Sequence, residues 1–254
     1  MKHALFLAPT TLLHAAPLEY LRAALGAGYD GVGLRLHASP NLPFHPIAGN
    51  AALVREVKAV LADLPLLDIY SFYLRPETKI SDFVPALALG AELGAKYALV
   101  QGDDPEYRRL VENFERFCDA AAPLGLSAAV EFVPARRLAT LPKALQLLRE
   151  ARRANSCVLV DAVHLARSGH PAVDLKMLDL PYAQISDGIP ATGERRIPGE
   201  GELRLGEFLD ALPAGIPLSV EVLPPTNAAS DDWARRVIQG TRSFLATAAS
   251  RPSA

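Results

Sequence analysis

Short, almost continuously apolar runs recur along the chain, each followed by a longer stretch of mixed polarity. The runs are ALFLAP (4–9), GVGLRL (31–36), LPLLDIYSFYL (64–74), AKYALVQGD (95–103), LSAAVEFVP (126–134), CVLVDAV (157–163), YAQIS (182–186) and PLSVEVL (217–223). Strands covered on both faces read this way, because neither face is left for water. Between them, helical spacing predicts helices at PLEYLRAALGAG, NAALVREVKAVLADL, SDFVPALALGAELG, PEYRRLVENFERFCDAAAPLG, TLPKALQLLREAR, LRLGEFLDAL and DDWARRVIQGTRSFLATAA. The interval after the sixth run holds only a short, weak helical candidate, PAVDLKMLDL. Gly28, Gly94, Gly125 and Gly215 stand just ahead of a strand, where glycine stops a helix.

Eight such alternations predict an α/β chain folded as a single (β/α)8 TIM barrel, one domain over residues 1–254. An open doubly wound sheet is the competing topology, but no glycine-rich phosphate fingerprint follows the first strand. The tail ASRPSA (249–254) is expected to fray.

Composition narrows the partners. With 26 basic and 28 acidic residues the formal net charge is −2, so nothing attracts a polyanion and nucleic acid is not expected as a partner. No apolar run reaches membrane-spanning length, and the N-terminus MKHALFLAPTTLL is broken by Pro9 before it resembles an export signal. Cys118 and Cys157 stand alone in apolar surroundings, which points to a reducing compartment. A cytoplasmic enzyme is the expectation, with assembly as a homo-oligomer left open.

Chemistry enters where the runs end. Glu131 follows LSAAV, Asp161 follows CVLV, Gln184 lies inside YAQIS and Glu221 follows PLSV. A carboxylate at the end of so apolar a strand needs a cation, a partner or water, and a parallel barrel gathers such strand ends at one mouth. Three carboxylates and an amide oxygen form an all-oxygen ligand set, which suits Mn²⁺ or Mg²⁺ better than zinc. His164 follows Asp161 closely enough to reach the same cavity. After the seventh strand, ERRIPGEGELRL (194–205) puts Pro198, Gly199 and Gly201 in a tight loop from which Arg195 or Arg196 can bind an oxyanion. Arg35, and Gln101 with Asp103 and Asp104, end the second and fourth runs and are expected at the mouth; Tyr70, Phe72 and Tyr73 can wall a small hydroxylated substrate.

The strand-five Glu131, the D-x-x-H from Asp161 to His164, Gln184 followed by Ser186–Asp187, the R-x-x-P-G-E-G loop from Arg195 and the SVEV around Glu221 together resemble the xylose isomerase-like barrels of the sugar phosphate isomerase/epimerase type. The resemblance spans most of the chain. It implies Glu131, Asp161, Gln184 and Glu221 as metal ligands, His164 and Arg195 as substrate-binding residues, and a small polyhydroxylated keto substrate. It also implies proton abstraction beside the carbonyl, shared by Glu131 and Glu221, with a metal-stabilised enediolate. Ketose epimerases of this type carry histidine at the position of Gln184, whereas 3-dehydroshikimate and inosose dehydratase-like members carry glutamine. A dehydratase, with His164 assisting loss of a hydroxyl, is therefore the alternative. Family members often have an acid near Tyr70; reading none here, we expect a drier or differently shaped pocket on that side. An abasic-site endonuclease would require a basic face and a histidine-rich zinc cluster, and a non-catalytic barrel would tolerate loss of a ligand carboxylate. Neither condition is met.

Overall fold

Three residues, Leu5–Leu7, are all that Pro9 leaves of the first strand, β1, because a one-turn helix at Pro9–Leu12 follows at once. The computed structural model describes residues 3–39 and 42–250. The strands β2 (Gly31–Arg35), β3 (Leu66–Leu74), β4 (Tyr97–Gly102), β5 (Ser127–Glu131), β6 (Ser156–Asp161) and β7 (Ala183–Ile185) follow in parallel, each beside the one before. After a small separate hairpin, β8 (Asp187–Ile189) and β9 (Glu194–Arg196), the strand β10 (Leu218–Val220) pairs with both β7 and β1 and closes the barrel. The fold is a single (β/α)8 barrel, as the alternation predicts. All eight expected strands are present, trimmed at their ends.

The helices α1 (Pro17–Ala27), α2 (Ala51–Leu61), α3 (Val84–Glu92), α4 (Tyr107–Ala121), α5 (Leu141–Ala151), α7 (Leu205–Ala211) and α8 (Ser230–Ala249) match the amphipathic stretches. Local chemistry sets several of their ends. Asn50 accepts from the Leu53 N–H, and Glu106 accepts from those of Arg108 and Arg109. Gly28 and Gly125 adopt the left-handed conformation, with φ of 83° and 72°, that a side chain would resist.

Two elements differ from expectation. PAVDLKMLDL forms only a short 3-10 helix, Ala172–Met177, while the helix after β6 is α6 (Ala162–Arg167), which starts directly on Asp161 as its cap. The segment from 187 to 196 pairs antiparallel, Gly188 opposite Arg195, so the first three residues of the loop expected at 194–205 form a strand. The frayed tail expected at 249–254 lies mostly outside the described residues; Ala249 ends α8. Among the described residues no helix is long and apolar enough to cross a membrane.

The core has two compartments. Between strands and helices lies the larger, in which Phe72, Phe83 and Phe117 pack about 5–6 Å apart, Phe83 edge-on to both and Phe72 tilted against Phe117. Inside the barrel Leu67, Tyr70, Leu99, Ala129, Leu159 and Tyr182 fill the floor. That floor supports the polar residues above it. It also contains a fully buried carboxyl, Asp68.

Candidate metal centre

Strand register brings the polar strand ends together. Gln101 on β4 lies opposite Glu131 on β5, and Asp161 on β6 lies opposite Gln184 on β7. Glu221 follows β10 and hangs its N–H on the Ile185 carbonyl of β7. Carboxylate oxygens of Glu131, Asp161 and Glu221 all fall within 4.8 Å of one another. Such a cluster repels itself unless a cation or protons enter it.

Arg195 provides part of the balancing charge. Its Nη1 donates to Asp161 Oδ2 at 2.7 Å and to Ser186 Oγ at 2.9 Å, and its Nη2 lies 3.9 Å from Glu221. Burial works against that charge, yet Asp161 and Glu221 raise the guanidinium above its ordinary value. Against its own burial, Asp161 is held below the usual carboxylate range by Arg195 and His164. Glu131 has no such partner. Burial, with Glu221 and Asp161 nearby, pushes it well up. Its Oε2 accepts a short hydrogen bond from the Gln101 amide.

The capping geometry explains His164. Asp161 Oδ1 accepts the His164 N–H at 2.8 Å, so the helix α6 starts at the strand end and carries the ring back over the site. The imidazole Nε2 lies 3.3 Å from Arg195 and 3.8 Å from Glu131, and burial lowers its basicity, which keeps it neutral.

Gln184 is wholly buried. Its Nε2 donates to the Tyr70 hydroxyl at 2.7 Å, and its Oε1 has no partner among the described residues. An orphaned amide oxygen beside three converging carboxylates is what a hard cation would satisfy. The triad Glu131, Asp161 and Glu221 is placed as a divalent ion would require, with Gln184 opposite Asp161 in register.

The two adjacent arginines are separated by the hairpin. Alternation along β9 turns Arg195 inward and Arg196 outward, where Arg196 meets Glu194 at 3.0 Å on the surface. Asp187 anchors the loop beyond: its carboxylate accepts the N–H groups of Gly199 and Leu203 at 3.1 and 2.9 Å, and a Cβ on Gly201 would strike it. That is the physical role of the Ser186–Asp187 step and of the second loop glycine.

An open cleft of about 390 Å³ leads to Glu131 and Glu221, with Tyr73, Gln101 and Arg136 on its walls. Arg35 approaches from β2 with its Nη2 buried and unpartnered among the described residues, in the field of Tyr73 and Glu221. Asp103 and Asp104 do not join the carboxylate cluster, since they pair with Arg136 and Arg109 at 3.0 and 2.7 Å. Phe72 packs in the outer core and Tyr73 lines the cleft. The acid read as missing near Tyr70 is present, buried in the barrel floor. Asp68, two residues earlier on β3, points the same way into the barrel and accepts from the Tyr182 hydroxyl at 2.7 Å. Burial pushes its carboxyl up to about 7.

The family model for the xylose isomerase-like TIM barrel matches residues 21–243. The chain belongs to that family. A search of the curated proteins finds no match. Among solved structures it is similar to a xylose isomerase-like TIM barrel/4-hydroxyphenylpyruvate dioxygenase fusion protein, 20% identical with a TM-score of 0.76. That match covers 100% of this chain and 45% of the fusion protein, so the chain spans less than half the length of that relative. An IolI protein with a bound zinc atom is 19% identical over 97% of this chain and 98% of its own, with a TM-score of 0.76. A D-allulose 3-epimerase from Methylomonas sp. is 16% identical over 96% and 97%, at 0.71. A probable 3-DHS dehydratase of petrobactin synthesis from Bacillus anthracis is 16% identical over 94% and 98%, at 0.75. At these identities the likeness to the solved structures establishes the fold.

Proposed function

We propose that this barrel is a divalent-metal-dependent isomerase or epimerase of a small polyhydroxylated ketone, acting by proton removal beside the carbonyl. The observation that carries the reading is the convergence of Glu131, Asp161 and Glu221 within 4.8 Å, beside the unpartnered Oε1 of Gln184. The all-oxygen donor set favours Mn²⁺ or Mg²⁺. When bound, the ion supplies Lewis-acid polarisation of the carbonyl and stabilises negative charge on its oxygen.

The chain's own groups do the rest. Glu131 and Glu221 come from β5 and the end of β10, on different sides of the mouth, so one takes a proton from one face of the substrate and the other returns it from the opposite face. Gln101 orients Glu131 through its amide. Neutral His164 offers a ring nitrogen to a substrate oxygen, and Arg195 binds a hydroxyl or oxyanion beside it. Arg35 lines a neighbouring pocket with Tyr20 and Leu34, near enough to feel the charge of Glu221. Arg196 is not part of this set.

Dehydration is the second reading, and Gln184 is the residue that favours it. Glutamine at that position, with the resemblance in fold to a 3-DHS dehydratase, supports loss of a β-hydroxyl from the same intermediate, the proton taken from carbon returning from the carboxylic acid so that the hydroxyl leaves as water, while His164 hydrogen-bonds the departing oxygen. Incubating the metal-loaded protein in D₂O with ketoses, inososes and dehydroshikimate, followed by NMR, separates these readings. Solvent exchange without an ultraviolet-absorbing product is expected for an epimerase, and exchange with one for a dehydratase. No exchange from any substrate would count against proton abstraction altogether.

A further inference from the structure

The cleft above the carboxylates has two electrostatic ends. Glu131 and Glu221 stand at the inner end, and among the described residues that line it Arg136 is the cation. Arg136 lies in the turn between β5 and α5, which is well fastened. The Arg136 N–H donates to the Val133 carbonyl at 2.7 Å, the Val133 N–H to Leu138 at 3.0 Å and the Leu138 N–H to Gly102 of β4 at 3.0 Å. Asp103, after β4, accepts from the guanidinium Nη1 at 3.0 Å.

A second cation meets it there. Arg75, just past β3, and Arg136 each bring the guanidinium carbon to 5.2 Å from the centre of the Tyr73 ring, which itself lines the cleft. Two cations beside one ring lie within about a Debye length and repel each other, and the nearby carboxylates do not cancel both. Asp103 makes one contact with Arg136, and Asp104 is taken by two bonds from Arg109 at 2.7 Å. Arg75 has no ion pair among the described residues, and its Nε is buried without a partner. The rim therefore carries surplus positive charge.

We propose that Arg136, with Arg75 and Tyr73 beside it, is an anion subsite: the substrate is a polyhydroxylated ketone that carries a carboxylate or phosphate on the carbon furthest from its carbonyl. The inference rests on reading Glu131 and Glu221 as the groups that act beside that carbonyl. The inner end is filled by the ketone and its neighbouring hydroxyl, whereas the surplus charge lies at the rim, so a charged group belongs on the substrate's other end. With Nη1 on Asp103, the remaining N–H groups of Arg136 suit the oxygens of a carboxylate or phosphate. Turn and ion pair already hold the side chain, so little freedom is lost when the anion arrives. Between the ends, the Thr10 hydroxyl is buried without a partner and lines the same cleft, placed for a substrate hydroxyl.

Solvent exchange by the metal-loaded protein tests this with the D-2-ketohexoses fructose, psicose, sorbose and tagatose, each offered as the free sugar, as its C6 carboxylate and as its C6 phosphate. A charged form is expected to exchange with kcat/KM about 10–100-fold above its free sugar, the worth of a charge-assisted contact. Which form does so names the anion. Arg136→Gln is expected to bring that ratio to about one, and Arg136→Lys, which keeps the charge but not the planar fork, to retain part of it. Arg75→Gln leaves Asp103 paired and is expected to lower the ratio about 3-fold, as loss of a partly exposed charge does. Arg137→Gln removes an exposed neighbour outside the cleft and should keep the ratio whole. Circular dichroism shows that each variant is folded. Free sugars exchanging as well as both charged forms would overturn the proposal, as would a preference that survives Arg136→Gln. Exchange from no member of the panel would bring down the proton-abstraction reading first, and the subsite with it.

Discussion

Glu131→Gln is expected to lower substrate proton exchange by about 10²–10⁴-fold, the usual contribution of a positioned acid or base. Burial and two nearby carboxylates raise the proton affinity of Glu131, and no arginine neutralises it as Arg195 does Asp161. Among the three carboxylates it is the one best placed to accept a proton. Glutamine keeps the shape and the contact with Gln101 but cannot take the proton. Exchange rates in D₂O, read beside circular dichroism to show that the barrel is folded, check this. Wild-type exchange in the variant would transfer the role to Glu221.

The second large effect separates the two residues above the cluster. His164→Ala is expected to retain metal and lose about 10²–10⁴-fold in turnover, because the ring meets the cluster only through Arg195 and Glu131 at 3.3 and 3.8 Å. Arg195→Ala should chiefly raise KM. It should also cost the metal-free protein about 3–5 kcal/mol, because the buried Asp161 loses its 2.7 Å ion pair. Added Mn²⁺ should recover part of that stability. Urea unfolding with and without the ion, alongside bound-metal analysis, reads both effects. Complete loss of the ion from His164→Ala, matching an Asp161→Asn control, would make the imidazole a ligand.

How legible these residues are in the sequence follows from their surroundings. Glu131, Asp161 and Glu221 stand out because each ends an apolar run, where an unpaired carboxylate is conspicuous. Asp68 is as buried, but it sits inside LPLLDIYSFYL, a run too uniformly apolar to tell an inward position from an outward one. An irregularity compounds this: the register of β3 against β2 shifts between Val32–Leu66 and Leu34–Ile69. The choice between Arg195 and Arg196 is equally hidden, since it depends on a three-residue antiparallel hairpin with no hydrophobic alternation of its own. The short α6 escapes periodicity because it spans six residues and begins on a strand's last residue. In both cases tertiary pairing, which a local pattern does not carry, sets the outcome.

Titration of chelator-treated protein with Mn²⁺, with proton exchange followed at each addition, tests the central claim most directly. A single ion per chain is expected, with exchange rising in step with its binding, better restored by Mn²⁺ or Mg²⁺ than by zinc, and with binding weakened in Glu221→Gln by loss of one ligand charge. Full exchange in the metal-free protein, or Mn²⁺ binding unaltered by Glu221→Gln and Asp161→Asn, would contradict it.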